Sequence, residues 1–206
     1  MQFNRDFTTL AVTLVGIIFA LSVHEFMHAW TGYRLGDDTA REGGRISFNP
    51  LAHIDPFMTI ALPVITMLLF GVPILAAKPV PFDPRNVKWD EFGAAIIAFA
   101  GPLSNFAMAT VSALLVRFIF NDVGFISNAL IIFASLNVSI FVFNMVPIPP
   151  LDGSRILYAF SPEPVQRVME QLESFGLVIV FGLILAVPGF GKILVHIAEN
   201  ILLFLL

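Results

Sequence analysis

Charge disappears from this sequence for long stretches, and that constrains the fold more than any other feature. Residues 7–23, 56–77, 92–116, 123–151 and 174–191 contain no Asp, Glu, Lys or Arg, and a short apolar tail runs over 193–206. A membrane helix needs about 20 predominantly apolar residues, so most of these runs are candidate membrane segments. Composition agrees: 57% of the chain is hydrophobic and 13% charged, against about 25% charged in an ordinary soluble domain. The formal net charge of −4 offers no basic footprint for nucleic acid. The chain has no Cys, which excludes disulfides, Fe–S clusters and a thiol nucleophile. Any metal site must therefore be built from His, Asp and Glu.

The expected architecture is an all-α polytopic membrane protein in a single domain, 1–206. It has about five to six membrane segments, and 56–77, interrupted by Pro63, Gly71 and Pro73, is a candidate re-entrant one. The first run has Arg5 beside Asp6 and no small-residue cleavage site, so it reads as a membrane helix rather than a signal peptide. Three polar connections separate the runs. Residues 33–55 hold a glycine turn, Gly43-Gly44, leading into an alternating segment that predicts a small β-hairpin or extended loop. Residues 78–91 are stiffened by Pro79, Pro81 and Pro84. Residues 152–173 predict one interfacial helix with Val165, Val168, Met169 and Leu172 on a face.

Chemistry concentrates in His24-Glu25-Phe26-Met27-His28, an H-E-x-x-H pattern. On a helix, positions i and i+4 share a face, so both imidazoles can reach one zinc ion, and Glu25 can serve as general base on a water the metal activates. The competing reading, two core histidines and a buried Glu, is weak in a hydrocarbon-spanning helix, where ionisable groups are costly. A catalytic zinc usually takes three protein ligands. Asp152 follows the longest uncharged run, beside helix-breaking Pro147, Pro149 and Pro150. It could simply cap the next helix, but beside an H-E-x-x-H without a third ligand the metal role is favoured. Gly101 and Asn105 lie one turn apart and suit helix packing, active-site support, or both. Asn137 and Asn144 share a face that should look inward. His53 reads as a structural loop residue, and His196 as interfacial or packing.

An early H-E-x-x-H, Gly101-Pro102-Leu103-Ser104-Asn105, and Asn144-Met145-Val146-Pro147 leading to Leu151-Asp152-Gly153 together resemble the site-2 protease family of intramembrane zinc metalloproteases. Within it the chain is similar to the short prokaryotic members without PDZ or CBS domains. The segments 44–56 and 77–81 add to that resemblance. It implies one Zn2+ per chain on His24, His28 and Asp152, with Glu25 as base. It also implies Asn144 near the substrate or the zinc-bound water, and Asn105 in the core beside the metal helix. The implied function is endoproteolysis of transmembrane protein or peptide substrates within the lipid bilayer of a prokaryotic cell membrane. The second reading, a metal-ion transporter or metal-dependent scaffold, predicts ionisable groups strung across the bilayer or paired half-repeats; the sequence has neither pattern.

Four full early crossings would carry His28 and Asp152 to opposite surfaces. Either 56–77 re-enters, or the metal sits at mid-depth with Asp152 drawn inward by the proline break. With re-entry, eight basic residues (Arg34, Arg41, Arg45, Lys78, Arg85, Lys88, Arg155, Arg167) share the metal side against three (Arg5, Arg117, Lys192). The positive-inside rule then puts the active site nearer the cytosol.

Overall fold

The computed structural model describes residues 2–53, 80–121, 124–187 and 189–206, and among them every regular element is helical. The long helices are α1 (Gln2–Arg34), α3 (Asp90–Phe118) and α4 (Phe125–Asn144). Between the first two lie a single turn, α2 (Thr39–Glu42), and 3-10 turns at Pro50–His53 and Pro84–Asn86. Four shorter helices follow: α5 (Asp152–Phe160), α6 (Glu163–Glu173), α7 (Gly176–Ala186) and α8 (Phe190–Leu205). Three helices, Phe7–Arg34 of α1, α3 and α4, are long and apolar enough to cross a membrane.

α3 is the central element, packed against α1, α4 and α5, while α8 lies along α4. The seams are lined with small residues. Ala20 and Ala29 on α1, Ala109 and Ala113 on α3, and Ala134 on α4 are fully buried. In lipid, where apolar side chains gain little by leaving the solvent, close backbone approach of this kind drives helix association. Ala109, Val138 and Val142 form a core cluster that Leu194, Ala198 and Leu202 of α8 cover.

Two polar ties decide the topology. The Lys88 amide donates to the Leu35 carbonyl at 2.9 Å. The buried Asp37 carboxylate accepts from the amides of Thr39 (3.1 Å) and Asp83 (2.9 Å) and from the Thr39 hydroxyl (2.5 Å). α1 therefore ends where α3 begins, at one end of the bundle, and the two run antiparallel. The expected re-entrant run 56–77 lies outside the described residues.

α4 stops at Asn144, and the chain unwinds over 145–151 before α5 starts. α5 then runs back along α3, so that Phe160 meets Phe92 edge-on at 5.4 Å. Non-helical backbone at membrane depth persists only when protein covers it, and Val146 and Leu151 are buried here. Gly153 makes the turn fit: a Cβ there would stand 2.3 Å from the Met145 carbonyl oxygen.

Two expectations need correction, and of the two alternatives for 44–49 the loop is the one that forms. No hairpin forms over 44–49; the segment is an irregular loop that closes into the Pro50–His53 turn, and its amides bond locally, Arg45 to the Ala40 carbonyl, Ser47 to the Arg45 carbonyl and Asn49 to the Ser47 hydroxyl. The helix expected over 152–173 breaks at Ser161-Pro162 into α5 and α6, leaving Met169 buried but Val165, Val168 and Leu172 exposed. The fifth run yields only the 11 residues of α7, about 17 Å at 1.5 Å per residue, little more than half of a hydrocarbon core of about 30 Å. Among the described residues there are thus three candidate spans, where five to six segments were expected.

Candidate metal centre

The H-E-x-x-H residues lie in the last third of α1, on a turn that faces α3. His24 and His28 are buried, with their rings edge-on at 4.5 Å. Asp152, the first residue of α5, comes in from the unwound segment. Its Oδ2 lies 3.2 Å from His24 Nε2 and 3.4 Å from His28 Nε2, and the two Nε2 atoms are 2.9 Å apart. No other groups of three or more His or carboxylate side chains converge in this way among the described residues. Ligands about 2.0–2.1 Å from a common tetrahedral ion stand roughly 3.3 Å from one another, so the trio already has nearly the spacing an ion requires.

Proton positions make the same point. His28 Nδ1 faces the Ile97 carbonyl at 2.7 Å, and a carbonyl can only accept, so Nδ1 carries the hydrogen. His24 Nδ1 faces the Asn105 side-chain oxygen at 2.6 Å and donates likewise. A neutral imidazole has one N–H, so both Nε2 atoms present lone pairs. Asp152 Oδ2 is enclosed and has no hydrogen-bond donor. With both rings neutral, three acceptors converge on one buried point. A cation resolves that arrangement, and an all-N/O set suits zinc.

Gly101 provides the space. A Cβ at that position would lie 2.3 Å from His28 Nε2, 2.6 Å from His28 Cε1 and 2.8 Å from His24 Cε1. The glycine expected to serve packing, active-site support or both therefore forms the wall against which both rings rest. Asn105, one turn further on and fully buried, bonds His24 directly.

Glu25 is buried beside the trio and within electrostatic reach of His28 and of Arg45. Burial pulls the Arg45 guanidinium below its ordinary value, and the Glu25 carboxylate opposes that shift. Arg45 also donates to the Ala52 carbonyl, and Phe48 stacks on Phe26 at 3.9 Å. The loop 45–53 is thereby laid against α1 at the level of Glu25.

Comparison with known proteins now decides the family. The Bacillus subtilis protein named "Putative zinc metalloprotease YwhC" is 34% identical over 187 residues, covering 87% of this chain and 81% of that relative. The profile of peptidase family M50 matches residues 120–187, the stretch that holds Asn144 and Asp152. The chain belongs to peptidase family M50. Two mycobacterial proteins named Rip2 carry the same description. The one from Mycolicibacterium smegmatis is 28% identical over 176 residues (84% of this chain, 66% of the relative), and the one from Mycobacterium tuberculosis 28% over 178 (85% and 67%). The chain thus spans about two thirds of the length of these Rip2 relatives. No solved structure gives a significant match. Membership of M50 makes this a zinc metalloprotease, and the acceptor trio is where its zinc fits.

Other residues singled out from sequence lie elsewhere. The Asn144 amide donates back to its own helix at Ile140 (3.0 Å) rather than toward the trio. His53 is buried and bonds the Ser47 carbonyl through Nε2 at 2.8 Å, a structural pin for its loop. His196 bonds Asn200 on the exposed side of α8. Sequence reasoning missed Ile97 and Arg45. Ile97 acts through its backbone, which no side-chain pattern reveals, while Arg45 was visible as a charge in a polar loop but not as a neighbour of Glu25.

Proposed function

We propose that this M50 protein is an intramembrane endopeptidase that hydrolyses peptide bonds in membrane-embedded protein substrates. The observation that supports this best is the depth of the trio. His28 lies six residues and His24 ten residues inside the end of α1, about 9 and 15 Å along the helix. In this reading His24, His28 and Asp152 hold one Zn2+ per chain and Glu25 is the general base. Zinc, when bound, supplies Lewis-acid polarisation of the scissile carbonyl and lowers the pKa of a water to about 7. Glu25 takes the proton of the attacking water and passes it to the leaving amine. Its burial and its proximity to Arg45 keep that carboxylate in a defined electrostatic setting. A helical substrate hides its carbonyls in its own hydrogen bonds and must unwind before attack. The segment 44–49 spends the amides of Arg45, Ser47 and Asn49 internally, so those three are closed to strand addition by a substrate.

The reading extends to topology. Arg34, Arg41, Arg45, Arg85 and Lys88 cluster where α1 ends and α3 begins, and α5 brings Arg155 to the same end, over the Phe82 ring at 5.8 Å. By the positive-inside rule that end faces the cytosol of a prokaryotic cell, with the protein multi-pass in the cell membrane. A reporter fused near Arg85 and found outside the cell would refute this orientation. The catalytic assignment is tested with Glu25→Gln. The variant should keep one zinc per chain while cleavage of a model transmembrane substrate falls about 10²–10⁴-fold; cleavage at the wild-type rate would overturn the mechanism.

A further inference from the structure

The hydrogen that fixes His24 is set from two residues away. Asn137 on α4 is fully buried. Its Nδ2 donates to the Phe133 carbonyl at 2.8 Å. That carbonyl only accepts, so it orients the Asn137 amide and leaves Oδ1 directed at α3. There Oδ1 accepts from Asn105 Nδ2 at 2.9 Å. With its NH2 end so engaged, Asn105 must present Oδ1 to His24, and His24 Nδ1 donates to it at 2.6 Å. The Ala20 carbonyl gives the Asn105 NH2 a second acceptor at 3.4 Å, a longer and weaker bond. Each link has one direction, and the series ends on a backbone oxygen that cannot reverse it.

We propose that Asn137 is a positioning residue for the metal centre: through Asn105 it holds His24 in the tautomer whose Nε2 lone pair faces the zinc site. An asparagine has a donor end and an acceptor end of nearly the same shape. Without Asn137 the Asn105 amide is free to turn over. It then offers NH2 to His24 Nδ1, drives the proton to Nε2, and places an N–H where a ligand lone pair must be. Groups that hold a ligating histidine through its other nitrogen typically change metal affinity 10–100-fold when removed. Asn137 acts one link further out, and Ala20 retains part of the orientation, so the expected loss is about tenfold.

The test uses the full chain in detergent. Metal-free protein with 15N-labelled histidine reports the tautomer of His24, and zinc affinity follows from competition with a chelating dye. Wild-type His24 should carry its proton on Nδ1. Asn137→Leu should shift it toward Nε2 and weaken zinc about tenfold. Asn137→Asp is the matched control. Buried and neutral, its acid group donates from the hydroxyl to the Phe133 carbonyl and accepts from Asn105, so tautomer and affinity should stay within about twofold of wild type. Adding Asn105→Asp to Asn137→Leu should restore the Nδ1 proton, because a carboxylate has no donor end to turn. An unchanged His24 in Asn137→Leu, or an equal loss in Asn137→Asp, would overturn the proposal. So would a wild-type His24 protonated on Nε2, a result that needs no variant to fold. The inference rests on the zinc reading of the trio, but the tautomer is read without metal; a wild-type chain that binds no zinc would refute that reading separately.

Discussion

Replacing Gly101 by Ala adds a single methyl group where the two histidine rings leave no room for it. The new Cβ would sit 2.3 Å from His28 Nε2 and 2.8 Å from His24 Cε1, against ordinary contacts of about 3.5–4.0 Å. Either the His28 ring or α3 must therefore give way by more than 1 Å. Retreat of the ring also strains its 2.7 Å bond to the Ile97 carbonyl, and retreat of α3 pulls Asn105 from His24. Metal ligands tolerate about ±0.2 Å, so the displacement is several times what the site can absorb. Zinc affinity should fall at least 10–100-fold, and peptide hydrolysis about 10²-fold or more. Alanine otherwise favours a helix over glycine by about 1 kcal/mol, so the metal-free variant should remain folded. The assay is zinc competition on purified protein, with melting curves measured with and without zinc. Gly182→Ala on α7, whose added Cβ meets nothing within 4 Å, supplies the matched control. Zinc binding by Gly101→Ala equal to that of wild type would show that the glycine is not the wall of the site.

Other perturbations separate metal, base and scaffold. Asp152→Ala should abolish stoichiometric zinc binding, measured by metal analysis of purified protein, because two imidazoles alone leave the site a ligand short. Gly153→Ala drives a Cβ to 2.3 Å from the Met145 carbonyl and 2.5 Å from its carbon, both backbone atoms; thermal melting should report a loss of about 1–3 kcal/mol even without metal. Asp37→Ala removes three hydrogen bonds, one of which, from the Asp83 amide, joins the two polar connections. Limited proteolysis should then cut the loops faster while zinc affinity stays within about twofold, since the trio lies elsewhere in the fold.

The cluster of His24, His28 and Asp152 was legible because its signals are local. Four-residue spacing on one helix brings His24 and His28 together whatever surrounds them, and Asp152 is a carboxylate at the end of a long uncharged run beside three prolines. What escaped needed a second helix. Gly101 was singled out for packing or active-site support, but its contact with both rings emerges only when α1 is laid against it, and Asn137 meets His24 only through Asn105. The break at Ser161-Pro162 was visible as a proline, but the amphipathic pattern on either side masked it. Irregular loop 44–49 alternates like a strand, yet its amides bond locally and leave no ladder to join. Asn144 donates to its own helix at Ile140, as Asn137 does at Phe133.

The unwound segment between α4 and α5 means that the third acceptor is not part of the helix that supplies the first two. His24 and Asp152 are separated by most of the sequence, and nothing covalent holds them together. An ion shared between them is therefore a staple, closing a loop that contains α3 and α4. Its binding energy counts toward holding α5 in place. With the ion gone, the α5 junction should become open to proteases before the rest of the bundle, which limited proteolysis with and without a chelator would read.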